Sequence, residues 1–267
     1  MILVELVKLY RRPRTWLSLL LLVALPTGVA GFLAASDVAP RPGTGPAFLS
    51  AVLDNGALFP AAALAIVLPL FLPLAVAVVA GESIAGEAQG GTLRSLLVRP
   101  VGRTRLLVAK LVSVLAFTMT AVTLVSVTAY VVGTQLFGSA PLPSTSGTTL
   151  STADATLRTA VAVVYVGWSM VGVASVALFL STLTDSPLGA ALGAVALLVA
   201  STVLVGLDAA DAVRPYLPTR YWLAFVDLFR DPVLWRDLVR GALLQGVYVL
   251  VFLSAAWANF TTKDVTS

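Results

Sequence analysis

Long apolar runs alternate along the chain with short stretches of charge and turn residues. A helix needs about 20 mostly apolar residues to cross roughly 30 Å of hydrocarbon. Six runs meet this requirement, at residues 16–35, 57–80, 106–132, 159–183, 188–207 and 242–260. The pattern predicts an all-α integral membrane protein in which residues 1–267 form a single transmembrane domain of six helices. The first run follows basic residues and precedes Ala-Ala-Ser, as a signal peptide would. Its apolar core is too long for one, so a retained helix is expected.

Three other segments carry amphipathic patterns. In residues 1–12, Leu3, Leu6, Val7 and Tyr10 share one helical face, opposite Glu5, Lys8 and Arg12. This predicts an in-plane helix ended by Pro13, which lacks a donor and disfavours helix at Arg12. It can serve as a topology anchor or bind a partner. Residues 81–105 read GESIAGEAQGGTLRSLLVRPVGRTR, far more than a connector needs. After Gly90-Gly91, Leu93, Leu96 and Leu97 line one face beside Arg94, and Pro100 stops the pattern. A short surface helix with a face for a cytoplasmic partner is expected.

Residues 208–240 interleave Tyr216, Tyr221, Trp222, Phe225, Phe229 and Trp235 with arginines and aspartates, and Pro215, Pro218 and Pro232 supply breaks. One or two short amphipathic helices at headgroup level are expected. Two readings are open: an aromatic belt, or a gate with Tyr216, Trp222 and Trp235 as its candidate residues.

Composition narrows the function. Hydrophobic residues make up 58%, charged residues only 11%, and the mean hydropathy is +0.96, which no water-soluble core of this length accommodates. Cysteine and histidine are absent, so disulfides, thiolate nucleophiles and Cys/His metal sites are excluded. The chain itself is expected to hold no cofactor. The net charge of +4 bears on orientation, not on nucleic acid, for which no binding is expected. With both termini inside, ten basic and five acidic residues fall inside, against seven and eight outside. The first span follows four basic residues and faces a loop holding only Arg41, so cytoplasmic termini are expected. Arginine in preference to lysine, with abundant Ala, Val and Leu, suggests a GC-rich prokaryote and its plasma membrane.

Within the spans, Pro60, Pro69 and Pro73 interrupt the second run and leave carbonyls to be met by neighbours or water. Either this is a tolerated kink, or Pro69 and Pro73 bend a helix that lines a substrate path. Gly189 and Gly193 stand at GxxxG spacing, for which packing within the chain is expected. Thr118, Thr120, Thr123, Ser126, Thr128, Tyr165, Ser169, Gln245 and Tyr248 are polar but uncharged, which disfavours ion-coupled transport. The glycines at 81–91 make no phosphate loop, because no Gly-Lys-Ser/Thr follows, so the chain has no ATPase site of its own.

Glu82, Glu87, Gly91-Thr92-Leu93, Leu96-Leu97, Pro100, Arg103 and Lys110 together resemble the pattern of the membrane subunits of type II ABC exporters, the ABC-transporter-2 membrane protein family. Glu5 and Lys8 before a basic turn, the six spans, the external segment before the last span, and Phe260, Lys263 and Asp264 after it extend the resemblance over the whole chain. It implies a permease without enzymatic activity that pairs with a second, identical or homologous permease. Two copies of a separate ABC ATPase would bind ATP and Mg. The N-terminal helix, with Glu5 and Lys8, and the loop after the second span would touch those ATPases, and Glu82, Glu87, Thr92, Leu93, Arg94 and Leu97 would form the cytoplasmic coupling helix between spans two and three. An intramembrane enzyme or a non-transporting scaffold are the competing readings. The enzyme lacks histidine, and its carboxylates lie outside the spans.

Overall fold

The computed structural model describes residues 1–36, 52–53, 55–91, 102–138, 142–143, 149–150 and 152–262. It is helical, apart from a two-residue antiparallel pairing of Leu142–Pro143 with Thr149–Leu150. The expected surface helix over Thr92, Leu93, Arg94 and Leu97 lies outside the described residues, as do Lys263 and Asp264.

Helix α1 spans Ile2–Arg11 and α2 spans Pro13–Ala35. Arg12 between them is extended, and Pro13 takes the first position of α2, where a missing N–H costs nothing. The corner is closed by α2 itself. Thr15 donates to the Leu9 carbonyl at 2.7 Å and Trp16 Nε1 to that of Tyr10 at 2.8 Å, so the last carbonyls of α1 are met. The Tyr10 hydroxyl meets Thr120 Oγ1 at 2.5 Å, which docks α1 on the third span.

The second span is two helices, α3 at Phe59–Val67 and α4 at Phe71–Gln89, separated by a turn over residues 68–70. The prolines explain the break. Pro69 cannot donate to the Ala65 carbonyl, and Pro73 cannot donate to that of Pro69, so two successive ladder bonds are absent. Among the described residues, six helices are long and apolar enough to cross a membrane: α2, α4, α5 (Arg103–Phe137), α6 (Thr152–Leu183), α7 (Pro187–Val205) and α8 (Trp235–Thr262). Six spanning helices were expected and six are found, with different bounds: the second is Phe71–Gln89 where 57–80 was expected, and the last begins at Trp235 and not at 242.

Helices α3, α4 and α6 form the centre of the bundle. Phe59, Leu64, Leu72, Val76, Val166 and Met170 are fully buried there. In its apolar window α6 is 67% buried, against 28% for α2 and α7 and 17% for α8, which places those three on the periphery. At Gly81 a Cβ would sit 2.9 Å from the Ala191 nitrogen, so α4 and α7 meet backbone to backbone. This is the close approach in that region. A Cβ on Gly189 would meet its own capping Ser186 side chain, and one on Gly193 would meet Leu180.

The expected helices between spans five and six take the tighter 3₁₀ form at Asp208–Ala210, Arg214–Tyr216 and Trp222–Phe229. Phe225, Leu228 and Phe229 are buried in the main core, and the segment packs on α6 and α8.

Candidate functional site at the N-terminal end of the bundle

Three chain segments bring charge to one place. The corner of α1 and α2 supplies Glu5, Lys8, Arg12 and Arg14, the last two turns of α4 supply Glu82 and Glu87, and the second turn of α5 supplies Lys110. Lys110 Nζ pairs with Glu5 Oε2 at 2.9 Å and also with Glu87 Oε1. Lys8 Nζ reaches the same Glu87 oxygen at 2.5 Å. Glu82 takes Arg14 on one oxygen at 2.8 Å and Arg12 on the other at 3.5 Å.

These contacts differ in weight. Lys110 and Glu87 are 3% exposed, and a charge taken that far from water costs several kcal/mol unless it is paired and hydrogen-bonded. The arginines at Glu82 keep much of their contact with solvent and contribute little. The inner knot of Glu5, Lys8, Glu87 and Lys110 thus fixes α1 to α4 and α5, and Glu82 with its arginines forms an outer rim.

Glu82 and Glu87 were expected on a short coupling helix after the second span, and the structure places them within the helix of that span. Both belong to the C-terminal end of α4 and are paired by cations up to 79 positions away in sequence. Glu5 and Lys8 join them. Thr92, Leu93, Arg94 and Leu97 lie outside the described residues.

A second feature, Ser181, had no signal beyond being a polar residue at the end of a span. It is 1% exposed, and its hydroxyl sits in the ladder of α4, donating to the Gly81 carbonyl at 2.6 Å and accepting from the Ile84 and Ala85 amides at 3.2 and 2.9 Å. A side chain placed in this way shares the backbone groups of the helix, so α6 is tied to α4 at Gly81–Ala85, within a helix that stays continuous to Gln89. The same end of the bundle is also tied elsewhere. Arg103 donates to the Phe260 and Thr261 carbonyls at 3.1 and 3.0 Å, and Trp257 Nε1 to Thr104 Oγ1 at 2.9 Å, so α5 holds the end of α8. Among the described residues no group of His, Cys, Asp or Glu could hold a metal.

At the opposite end, polar side chains of the spans meet carbonyls of the 3₁₀ segment. Tyr165 donates to Tyr221 O at 2.7 Å, Gln245 to Pro218 O at 2.7 Å and Tyr248 to Tyr216 O at 3.0 Å. Arg158 donates to the Leu228 and Arg230 carbonyls at 2.9 and 2.8 Å. Gly241 makes the first contact possible, since a Cβ there would lie 2.1 Å from the Tyr165 hydroxyl. The three gate candidates are not together. Trp222 is 4% exposed in the core, whereas Tyr216 and Trp235 are largely exposed. Pro69 and Pro73 do lie at the break in the second span, where Leu70, Phe71 and Leu74 are exposed.

The family model of the ABC-2 family transporter protein matches residues 1–200, about three quarters of the chain, and includes the whole charged cluster. The chain belongs to the ABC-2 transporter family. A comparison with curated proteins returned no match. As an ABC-2 membrane protein it is a multi-pass permease component of an ABC transporter, a transport subunit of a kind that generally works with ABC ATPase partners. The match ends within α7, so the 3₁₀ segment and α8 lie beyond it.

Proposed function

We propose that this ABC-2 permease is one half of an exporter's membrane pathway, working as a homodimer or heterodimer of permeases with two separate ATPase subunits that bind ATP and Mg. Both termini lie in the cytoplasm of a prokaryotic cell, and the charged end of the bundle faces the ATPases. The observation that carries this reading is the ion-paired knot of Glu5, Lys8, Glu87 and Lys110, which ties α1 rigidly to the two helices flanking residues 92–101. A push on that stretch is then delivered to α1, α4 and α5 as one body. Glu5, Lys8 and Glu87 act by holding this body together. Glu82, Thr92, Leu93, Arg94 and Leu97 are the residues that meet the partner. The interrupted second span supports a pathway along α4, since Leu70, Phe71 and Leu74 beside the break are exposed in the single chain. Tyr216 and Trp235 remain candidates for the outer exit.

The experiment is affinity purification of the chain from its native membrane, followed by native mass measurement. A complex of two permeases with two subunits that carry a phosphate loop is expected. A transport-competent monomer without any ATPase would overturn the reading.

A further inference from the structure

A cleft of about 600 Å³ opens at the N-terminal end of the bundle between α2, α4 and α7, on the far side of Glu82 from the buried knot. Its mouth holds Arg12 and Arg14, whose side chains are 42% and 79% exposed. Among the described residues, the one carboxylate facing both is Glu82, and it engages a single nitrogen of each guanidinium. A guanidinium carries five N–H donors in a planar fork, so most of this donor capacity points elsewhere. Two cations against one carboxylate leave the mouth with an excess positive charge.

The inner wall is of a different character. Val78, Leu188 and Ala191 line it, and Leu188, 67% exposed, continues into the lipid-facing side of α7 with Leu192. Trp16, one turn from the arginines, is 56% exposed with its ring nitrogen held by the Tyr10 carbonyl, the placement of an interfacial indole. The cleft therefore joins a cationic mouth to an apolar wall.

We propose that this cleft binds one anionic phospholipid, with its phosphate against Arg12 and Arg14 and its acyl chains along Val78, Leu188 and Ala191. A free phosphate would leave the apolar wall without a partner. A second copy of the chain meeting this face about a two-fold axis would set arginines against arginines. The lipid satisfies both halves of the cleft, as basic pockets between membrane helices do for acidic headgroups.

The test is native mass spectrometry of the full chain in detergent, titrated with phosphatidylglycerol, with phosphatidylcholine and with inorganic phosphate. One phosphatidylglycerol per chain is expected, preferred over phosphatidylcholine by about tenfold, the scale of one charge-assisted contact. Arg12→Gln with Arg14→Gln should abolish the preference, whereas Arg214→Gln, at the other end of the bundle, should keep it. Gly86→Leu is a second probe that leaves the charges in place. A Cβ there meets only Glu82 Cβ at 3.8 Å and Pro187 Cγ at 3.9 Å, so the backbone tolerates it while the side chain fills the cleft, and lipid occupancy should fall. A wild type without preference, or a preference kept in both cleft variants, overturns the proposal. So does displacement of the lipid by inorganic phosphate, which would assign the cleft to the free anion, or by formation of a dimer, which would assign it to a second copy.

Discussion

Burying an ammonium group is unfavourable unless counter-charges surround it, and Lys110, 3% exposed between Glu5 and Glu87, has them. Removing it takes away the buried cation that Glu5 pairs with and leaves Glu87 with Lys8 alone. Lys110→Met is therefore expected to cost about 3–5 kcal/mol, read as a fall in thermal unfolding temperature in detergent, and adding Glu87→Gln should recover part of the loss. A single variant as stable as the wild type would mean that the pairs do not hold the helices. Charge reversal separates the two acids. Glu87→Lys would place a third cation beside Lys8 and Lys110 and should not yield folded protein. Glu82→Lys, at the solvated rim, should fold and lower substrate-stimulated ATP hydrolysis, measured in the purified complex. Glu5, Lys8, Glu82 and Glu87 stood out in the sequence as charges beside apolar runs, and the family resemblance grouped them. That they pair with one another and with Lys110 was not, since pairing across such separations depends on which helices pack together.

At the scale of elements, two tryptophans that look equivalent in the sequence occupy different environments. Trp222 is buried at the start of the third 3₁₀ turn and Trp235 is 58% exposed at the start of α8. Trp222→Ala should lower stability by about 3–5 kcal/mol through the cavity it leaves, whereas Trp235→Ala should change it by less than about 0.5 kcal/mol. Thermal unfolding of the two variants measures both effects, and equal losses would contradict the placement. If Trp235 serves the exit, its variant should still reduce transport per folded complex. The break at residues 68–70 makes a second prediction. Pro69→Ala with Pro73→Ala restores both missing donors, so α3 and α4 should join into one helix, with hydrogen exchange slowed across the junction and transport reduced while the complex still assembles. Unchanged exchange would show that tertiary packing, and not the prolines, holds the break.

For the whole molecule, orientation is directly measurable because the chain has no cysteine. Asp208→Cys lies at the end with the 3₁₀ segment, where the native side chain is fully exposed, and Gln89→Cys lies at the charged end. In intact cells a membrane-impermeant thiol reagent should label the first and spare the second until the membrane is opened. The reverse pattern would place the charged cluster outside and end the assignment of that face to ATPases.

Six spans and the proline break were decided by the sequence, because each rests on local composition: hydropathy summed over some twenty residues, and a missing N–H. The resemblance to ABC-2 membrane subunits was equally legible, since it lay in the order of motifs along the chain. Tertiary structure alone decided what the polar residues inside the spans do. Tyr165, Gln245 and Tyr248 stood out as uncharged groups in lipid, but their partners are backbone carbonyls of a segment with no side-chain pattern to announce them. Ser181 is likewise a generic serine until α6 lays it into the ladder of α4. In a membrane each buried polar atom must find a partner within the protein, and which partner it finds is set by helix packing between residues that are remote along the chain.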